Sequence, residues 1–462
     1  MKRDDLYLLV HRLSKQERTY VSKRLSTFKD NSTLKSMFED ICTYDNLLKA
    51  ELDKKIAEKY AHYKVRKKEL YYKILEILRD YHPTLLHKIH FYILDINLLF
   101  EKGLFEAARK LLKKAKLLAD RNQIVPLYLQ LLYLELRMSY YTYYDNLTPE
   151  IIQQMQKDFS KYYHILKEDI DQAFYTTQQL RAFFQEGYIP PLQPIKHKLN
   201  GHLAYIQQHI LQGFAYRSHL FFEESYKYRL KLWEYFNQHT ELILLYPELY
   251  LTAINMVIIG ANDLGKYEQS LSILNQLSNH PIQADIARIE VFRIQATYYT
   301  QTYNFMEKYH IAYENIENYL KNPFYNEIHQ WDKQLLHLHF VVACLAQKDF
   351  HKTIYFCHQI LNIQGNMNVM SLAFIFLIIA HLLQGNTDVI RVIKQQYKEV
   401  RIKVPFYSKI LRVLSSSKKL NNKLQLVLSY YESSSIESRF VWEKYVRFEK
   451  IILKCVQYAQ EC

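Results

Sequence analysis

Glycine and proline are scarce in this chain, at 8 and 10 among 462 residues. Strand-rich folds place such residues at their many tight turns, so the shortage argues for helices. Cysteine is rarer still. Cys42, Cys344, Cys357, Cys455 and Cys462 are odd in number and hold no C-x-x-C pair, which argues against a disulfide framework or zinc ribbon and for a reducing cytoplasm. Long apolar runs are missing too: the longest, Val369 to Leu383, contains Ser371 and His381 and stops short of the roughly 20 residues a membrane span needs. It reads as a buried helix, and no membrane insertion is expected. Asp4 and Asp5 stand where a secretion signal would begin its apolar stretch, so none is read. Catalytic signatures are absent as well, with no G-x-S-x-G, H-E-x-x-H or glycine-rich dinucleotide loop.

What is present is apolar, aromatic and basic. Hydrophobic residues make up 49%, enough for a sizeable core, and 41 tyrosines can bury their rings in helix interfaces while their hydroxyls reach water. Lys and Arg number 61 against 47 Asp and Glu, a net +14 that favours an acidic partner or anionic surface. Residues 1–82 hold 19 basic and 13 acidic residues, so positive charge is densest there.

A unit recurs along the chain: a turn, an aromatic or Thr, then a helix with a small residue three positions on. It leads at Phe105, Phe222, Tyr267, Phe305, Phe350 and Thr387, with steps of 117, 45, 38, 45 and 37 residues, the first being three times 39. Phe105, Ala108, Leu112 and Ala115 form the first copy; Tyr267, Ser270, Leu274 and Leu277 form another. Weaker copies are Phe222, Ser225, Arg229 and Leu232; Phe305, Lys308, Ala312 and Asn315; Phe350, Thr353, Cys357 and Ile360; Thr387, Ile390, Lys394 and Tyr397. Over about residues 85 to 400 the pattern resembles the tetratricopeptide-repeat family, whose period is about 34 residues. The longer steps and the missing Trp and Gly positions depart from it. The resemblance implies an all-α, right-handed α-solenoid of helix pairs whose first helices line a concave, partner-holding surface. Residues 1–82, with Leu6-Tyr7, Leu13 to Arg18 and Tyr71 to Leu75, also resemble an uncharacterised bacterial family, which implies no activity.

Five sections are expected: a basic helical section at 1–82, a first repeat segment at 83–188, a Pro-rich loop at 189–200, a solenoid at 201–404 and a helical cap at 405–462. Ser14 and Glu17 form a capping box opening a helix toward Phe28. Leu34, Met37, Phe38 and Ile41 mark a second helix, and a longer one runs from Tyr63 to Tyr81, before Pro83. Ile189 to Pro194 holds three prolines and reads as an exposed hinge. A second box, Ser434 to Glu437, opens the C-terminal helix, with Phe440, Tyr445, Phe448, Ile452, Cys455 and Val456 on its apolar face.

Each chemical motif has a plainer explanation. Gly260-Ala261-Asn262-Asp263-Leu264-Gly265-Lys266-Tyr267 approaches a phosphate-binding loop, but Tyr267 replaces the small hydroxyl that would meet Mg²⁺. His337 and His339 are two apart and point away from each other on a helix, so with Cys344, His351, Cys357 and His358 they make no metal set. His82, His87 and His90 make none either. No cofactor is expected.

Two binding surfaces remain. The resemblance places Asn97, Glu101, Gln207, Arg217, Asn255, Asn262, Arg293, Thr297 and Gln301 on the groove side of first helices, where amide and guanidinium groups can hold an extended peptide. In the last two pairs these positions become Leu338, Val342, Ile375, Ile379 and Leu382, an apolar face expected to be filled by the C-terminal helix or, through self-association, by a second subunit. The basic, aromatic stretch with Lys64, Arg66, Lys67, Lys68 and Lys73 is a candidate anion surface. The function expected is a cytoplasmic, non-enzymatic scaffold or regulatory adaptor binding a protein or peptide in its groove. A nucleic-acid-associated regulator using the basic N-terminal section is the alternative.

Overall fold

The computed structural model describes residues 5–27, 32–43, 55–81, 84–141, 148–186, 199, 201–278, 285–363, 365–397, 405–435, 439 and 443–461. The protein is all-α, and no strand occurs among the described residues. It divides into two compact units, with the division inside one long helix between Asp171 and Gln172. Most of the Pro-rich 189–200 segment, Pro83, and Ile436, Glu437 and Phe440 lie outside the described residues.

The first unit opens with α1 (Asp5–Arg12), α2 (Lys15–Ser26), α3 (Ser32–Thr43) and α4 (Tyr63–Tyr81). Helix α2 starts where its sequence dictates: Glu17 N donates to Ser14 Oγ at 3.2 Å and Ser14 N donates to Glu17 Oε2 at 2.7 Å, the two halves of a capping box. Leu6, Val21, Met37, Phe38 and Ile74 close a core shared by these four helices. Then follow α5 (Leu85–Glu101), α6 (Phe105–Arg121), α7 (Val125–Tyr141) and the 38-residue α8 (Pro149–Glu186). Where the 117-residue step implied two extra units, α7 and this long helix stand instead, because Pro149 opens α8 and no further helix-breaking residue follows before residue 187.

The second unit holds α9 (His202–Ser218), α10 (Phe222–Gln238), the short α11 (Glu241–Leu245), α12 (Pro247–Asp263), α13 (Tyr267–Ser278) and α14 (Asp285–Phe305). It continues through α15 (Tyr309–Glu314), α16 (Ile316–Lys321), α17 (Gln330–Ala346), α18 (Phe350–Leu361), α19 (Met367–Leu383) and α20 (Val389–Gln396). It ends with α21 (Pro405–Leu414), α22 (Leu420–Glu432) and α23 (Phe448–Glu461). From α12 onward each first helix packs on its own second helix and on the next first helix: α12 on α14, α14 on α17, α17 on α19.

One backbone device ends seven helices in the same way. After α12, Gly265 takes φ 71° while its N–H donates to Asn262 O at 3.1 Å and that of Lys266 donates to Ala261 O at 2.8 Å. This doubled turn satisfies carbonyls that a helix end leaves orphaned. It recurs at Gly103, Gln123, Leu220, Glu307, Lys348 and Gly385, all with positive φ. Apart from Gln123, each lies two residues before the start of a second helix or, at Gly385, before Thr387.

These turns correct one copy of the repeat. Phe305 ends α14, the turn falls at Glu307, and the second helix begins at Tyr309. Counting from Tyr309 places Ala312 and Ile316, both buried, at the packing positions that counting from Phe305 gave to Lys308 and Ala312. Two aromatics four apart compete for one role, and the glycine that would have chosen between them is replaced by Glu307. The small residue three positions into each second helix marks close helix approach: Ser225 Oγ donates to Gly213 O at 2.7 Å and Ser270 Oγ to Ile258 O at 3.3 Å.

Candidate functional site

The apolar end of the predicted groove is filled from within. Leu338 and Val342 on α17 and Ile375, Ile379 and Leu382 on α19 are buried in one cluster with Phe448, Ile451, Ile452 and Cys455 of α23. Helix α23 packs on α17, α19 and α22. Burying four such side chains is worth about 6 kcal/mol or more, so α23 is part of the folded unit rather than a loosely held flap.

The box at Ser434 to Glu437 falls partly outside the described residues, although Arg439 N donates to Ser435 O at 3.0 Å; helix α23 begins at Phe448. Glu443 is helical, Lys444 and Tyr445 form a turn, and Val446 and Arg447 lead into α23. Their groups are taken up by the groove instead of by a helix. Gln301 Nε2 donates to the backbone carbonyl of Lys444 at 3.2 Å, Asn366 Nδ2 to Tyr445 Oη at 3.0 Å, and Arg447 Nη2 to Tyr267 Oη at 2.5 Å. The Arg447 guanidinium also lies 5.0 Å from the Phe305 ring centre, and Lys450 pairs with Glu307 at 3.2 Å. Farther along, Tyr458 donates to Ala346 O.

Seven of the nine predicted groove residues belong to this second unit, and most are already engaged. Arg217 grips Asp263 with both arms, at 2.6 and 2.9 Å. Asn262, 2% exposed, accepts from Ser270 at 2.8 Å and donates to Thr302 at 3.1 Å. Arg293 is fixed between Glu290 and Asp332. Thr297 is buried, and its hydroxyl, like the side-chain oxygens of Gln207 and Asn255, meets no hydrogen-bond partner among the described residues. Asn97 and Glu101 lie in the first unit, where Asn97 Nδ2 donates to Ile93 O at 2.8 Å and Glu101 is exposed.

A cavity of about 350 Å³ remains where the strap of residues 443–447 meets the groove. Asn262, Asp263, Phe222 and Phe305 form one side, while Arg439, Lys444, Arg447 and Lys450 bring four cations from the other. Two of its carboxylates are already engaged: Asp263 by Arg217, and Glu443 by the Tyr431 hydroxyl. The Lys444 ammonium makes no hydrogen bond or ion pair among the described residues and lies 5.0 Å from the Tyr445 ring centre. Burial, reinforced by the Arg217 charge, lowers its pKa to about 8. The buried Arg439 Nε also lacks a hydrogen-bond partner among the described residues.

Sequence patterning placed Arg229 in the repeat frame without exposing its role. It fills the slot that Leu112 and Leu274 occupy in the clearer copies, 1% exposed, donating to Met256 O at 2.9 Å and Gly213 O at 3.3 Å. Burial and the Arg217 charge lower its pKa to about 9. Gly213 and Gly260 make room for it: a Cβ on Gly213 would stand 3.1 Å from Arg229 Cγ, and one on Gly260 only 2.8 Å from Tyr226 Cδ2. Gly260 therefore sits inside α12 for packing and belongs to no phosphate loop.

His337 and His339 are buried in α17, and no metal-holding group of His, Cys, Asp and Glu occurs among the described residues. On α4, three of the five predicted anion contacts are used internally. Arg66 Nε donates to Ala61 O, Lys67 lies 4.6 Å from the Tyr7 ring centre, and Lys73 pairs with Glu76 at 2.9 Å. Only Lys64 and Lys68 stand exposed. No described helix is long and apolar enough to cross a membrane. No family model matches the chain, and no curated protein or solved structure compared with it matches either.

Proposed function

We infer that the protein is a non-enzymatic helical-repeat scaffold or regulatory adaptor, built as a right-handed TPR-like solenoid, that holds a protein or peptide at its groove. One observation carries this reading: Gln301 holds the 443–447 strap by its backbone carbonyl at Lys444. An amide that grips a main-chain carbonyl tolerates varied side chains, the property an adaptor groove needs. The apolar end is committed to α23, which leaves the cavity beside the strap as the place for a partner. Arg439, Lys444, Arg447 and Lys450 outnumber the acids lining it, so the partner segment presents an acidic side chain or terminal carboxylate.

Photo-crosslinking in native cells tests the reading, with the photoreactive residue placed at Phe222 beside the cavity or at Trp331, 56% exposed elsewhere in the unit. The expected result is one polypeptide linked stoichiometrically from position 222 alone, and lost when Lys444→Glu is added. Equal labelling from both positions, or labelling indifferent to that reversal, would overturn it.

A further inference from the structure

We propose that the outer face of α6 docks the phosphate backbone of nucleic acid. Between Lys102 and Arg121 seven cationic residues stand against two acidic ones, whereas the rest of residues 83–171 carries five against nine. The segment is therefore polarised, not merely basic. A solvated helix face ordinarily mixes both signs, which lets its field cancel.

The acids on α6 and the facing Glu135 are already engaged. Glu106 is held by Arg109 at 2.6 Å, Asp120 accepts from Tyr162, and Glu135 of α7 is held by Lys116 at 2.6 Å. Lys110, Lys113, Lys114 and Arg121 remain exposed and form no ion pair among the described residues. They lie on one side of the helix, opposite the buried Ala108, Leu112, Ala115 and Ala119 that seat it on its neighbours. At about 1.5 Å rise per residue the four charges span roughly 16 Å, long enough to follow several phosphates. Leu117, 51% exposed, lies among them and offers an apolar contact to sugars. The rival basic helix α4 spends Arg66, Lys67 and Lys73 on its own bundle, and Lys114 of α6 likewise lies 5.4 Å from the Tyr92 ring centre. Helix α6 still holds the larger uncommitted charge, with Lys110, Lys113 and Arg121 against Lys64 and Lys68.

The full chain would be titrated into fluorescent 20-nucleotide single-stranded RNA and DNA and a 20-base-pair duplex, with fluorescence anisotropy as the readout. Four phosphate contacts predict a fall in duplex affinity of about a hundredfold between 50 and 200 mM salt. Binding should be lost in Lys110→Glu/Lys113→Glu/Arg121→Glu, weakened in the Lys→Gln and Arg→Gln versions of the same triple, and kept in Lys64→Glu/Lys68→Glu. Circular dichroism would confirm that each variant is folded. Which probe binds best distinguishes single-stranded from duplex ligand. Binding unchanged by the α6 reversal, no binding to any probe, or equal competition by polyglutamate of matched charge would each overturn the proposal.

Discussion

At the scale of the residue, the seven doubled turns show how a backbone requirement can outrun its sequence signal. Gly103, Gly265 and Gly385 announce the left-handed conformation, because only glycine adopts it without a Cβ clash. Gln123, Leu220, Glu307 and Lys348 adopt it against preference, so their turns were invisible as turns and the copy at Tyr309 was misplaced by four residues. A Cβ on Gly265 would meet nothing closer than the Tyr267 hydroxyl at 4.0 Å, so its substitution is a backbone test free of collision. Gly265→Ala should cost about 1 kcal/mol, and Gln123→Gly, at an exposed side chain, should gain about 0.5–1 kcal/mol. Urea midpoints of the two variants check this; equal shifts in one direction would contradict it. Arg229 was legible only as an arginine in an apolar slot. Its guanidinium depends on two carbonyls brought close by Gly213 and Gly260, contacts distant in sequence.

At the scale of the element, amphipathic patterning revealed which helices exist more readily than where they end. The apolar faces of α17 and α19 were readable because five groove positions turned hydrophobic together. The break at 444–447 before α23 was not, since Lys444, Tyr445 and Arg447 bond to Gln301, Asn366 and Tyr267. Ile452, fully buried, ties α23 into the cluster. Ile452→Ala should destabilise the second unit by about 2–5 kcal/mol, and removal of residues 448–461 should bare Leu338, Val342, Ile375 and Ile379 and cause aggregation. Light scattering of the truncated chain checks the second; an unchanged soluble monomer would contradict it. Helix α17 adds a pH signature. Burial lowers the pKa of His337 to about 4, with help from the Lys333 charge, and burial alone lowers that of His339 to about 3. Both are neutral in the fold and gain protons on unfolding below their ordinary value of about 6.5. Stability from each is therefore complete above pH 6.5 and falls as pH drops toward 4. Between pH 7 and 5 the loss should be about 2 kcal/mol per histidine, read from urea midpoints, and His339→Leu should flatten the dependence. A wild-type midpoint unmoved by that change in pH would refute it.

At the scale of the whole molecule, the all-helical class followed from few glycines, few prolines and helical periodicity. The division inside α8 did not, because a continuous 38-residue helix hides it. Helices α1 to α4 close around Leu6, Val21 and Phe38, while the second unit closes around separate clusters including Leu232 with Ile254 and Phe340 with Phe374. These clusters share no residue, so nearest-neighbour packing gives each unit its own stability. Nature has placed a reporter accordingly: Trp233, Trp331 and Trp442 all lie after residue 202. Tryptophan fluorescence thus follows only the second unit, whereas far-ultraviolet circular dichroism follows helices in both. In urea the two signals should give different transitions, the mark of unfolding that is not two-state. Leu112→Asp, placing a carboxylate at a site 2% exposed in the first unit, should move the early part of the dichroism curve and leave the fluorescence midpoint in place. Coincident curves that shift together in the variant would instead mean that α8 couples the two units into one cooperative fold.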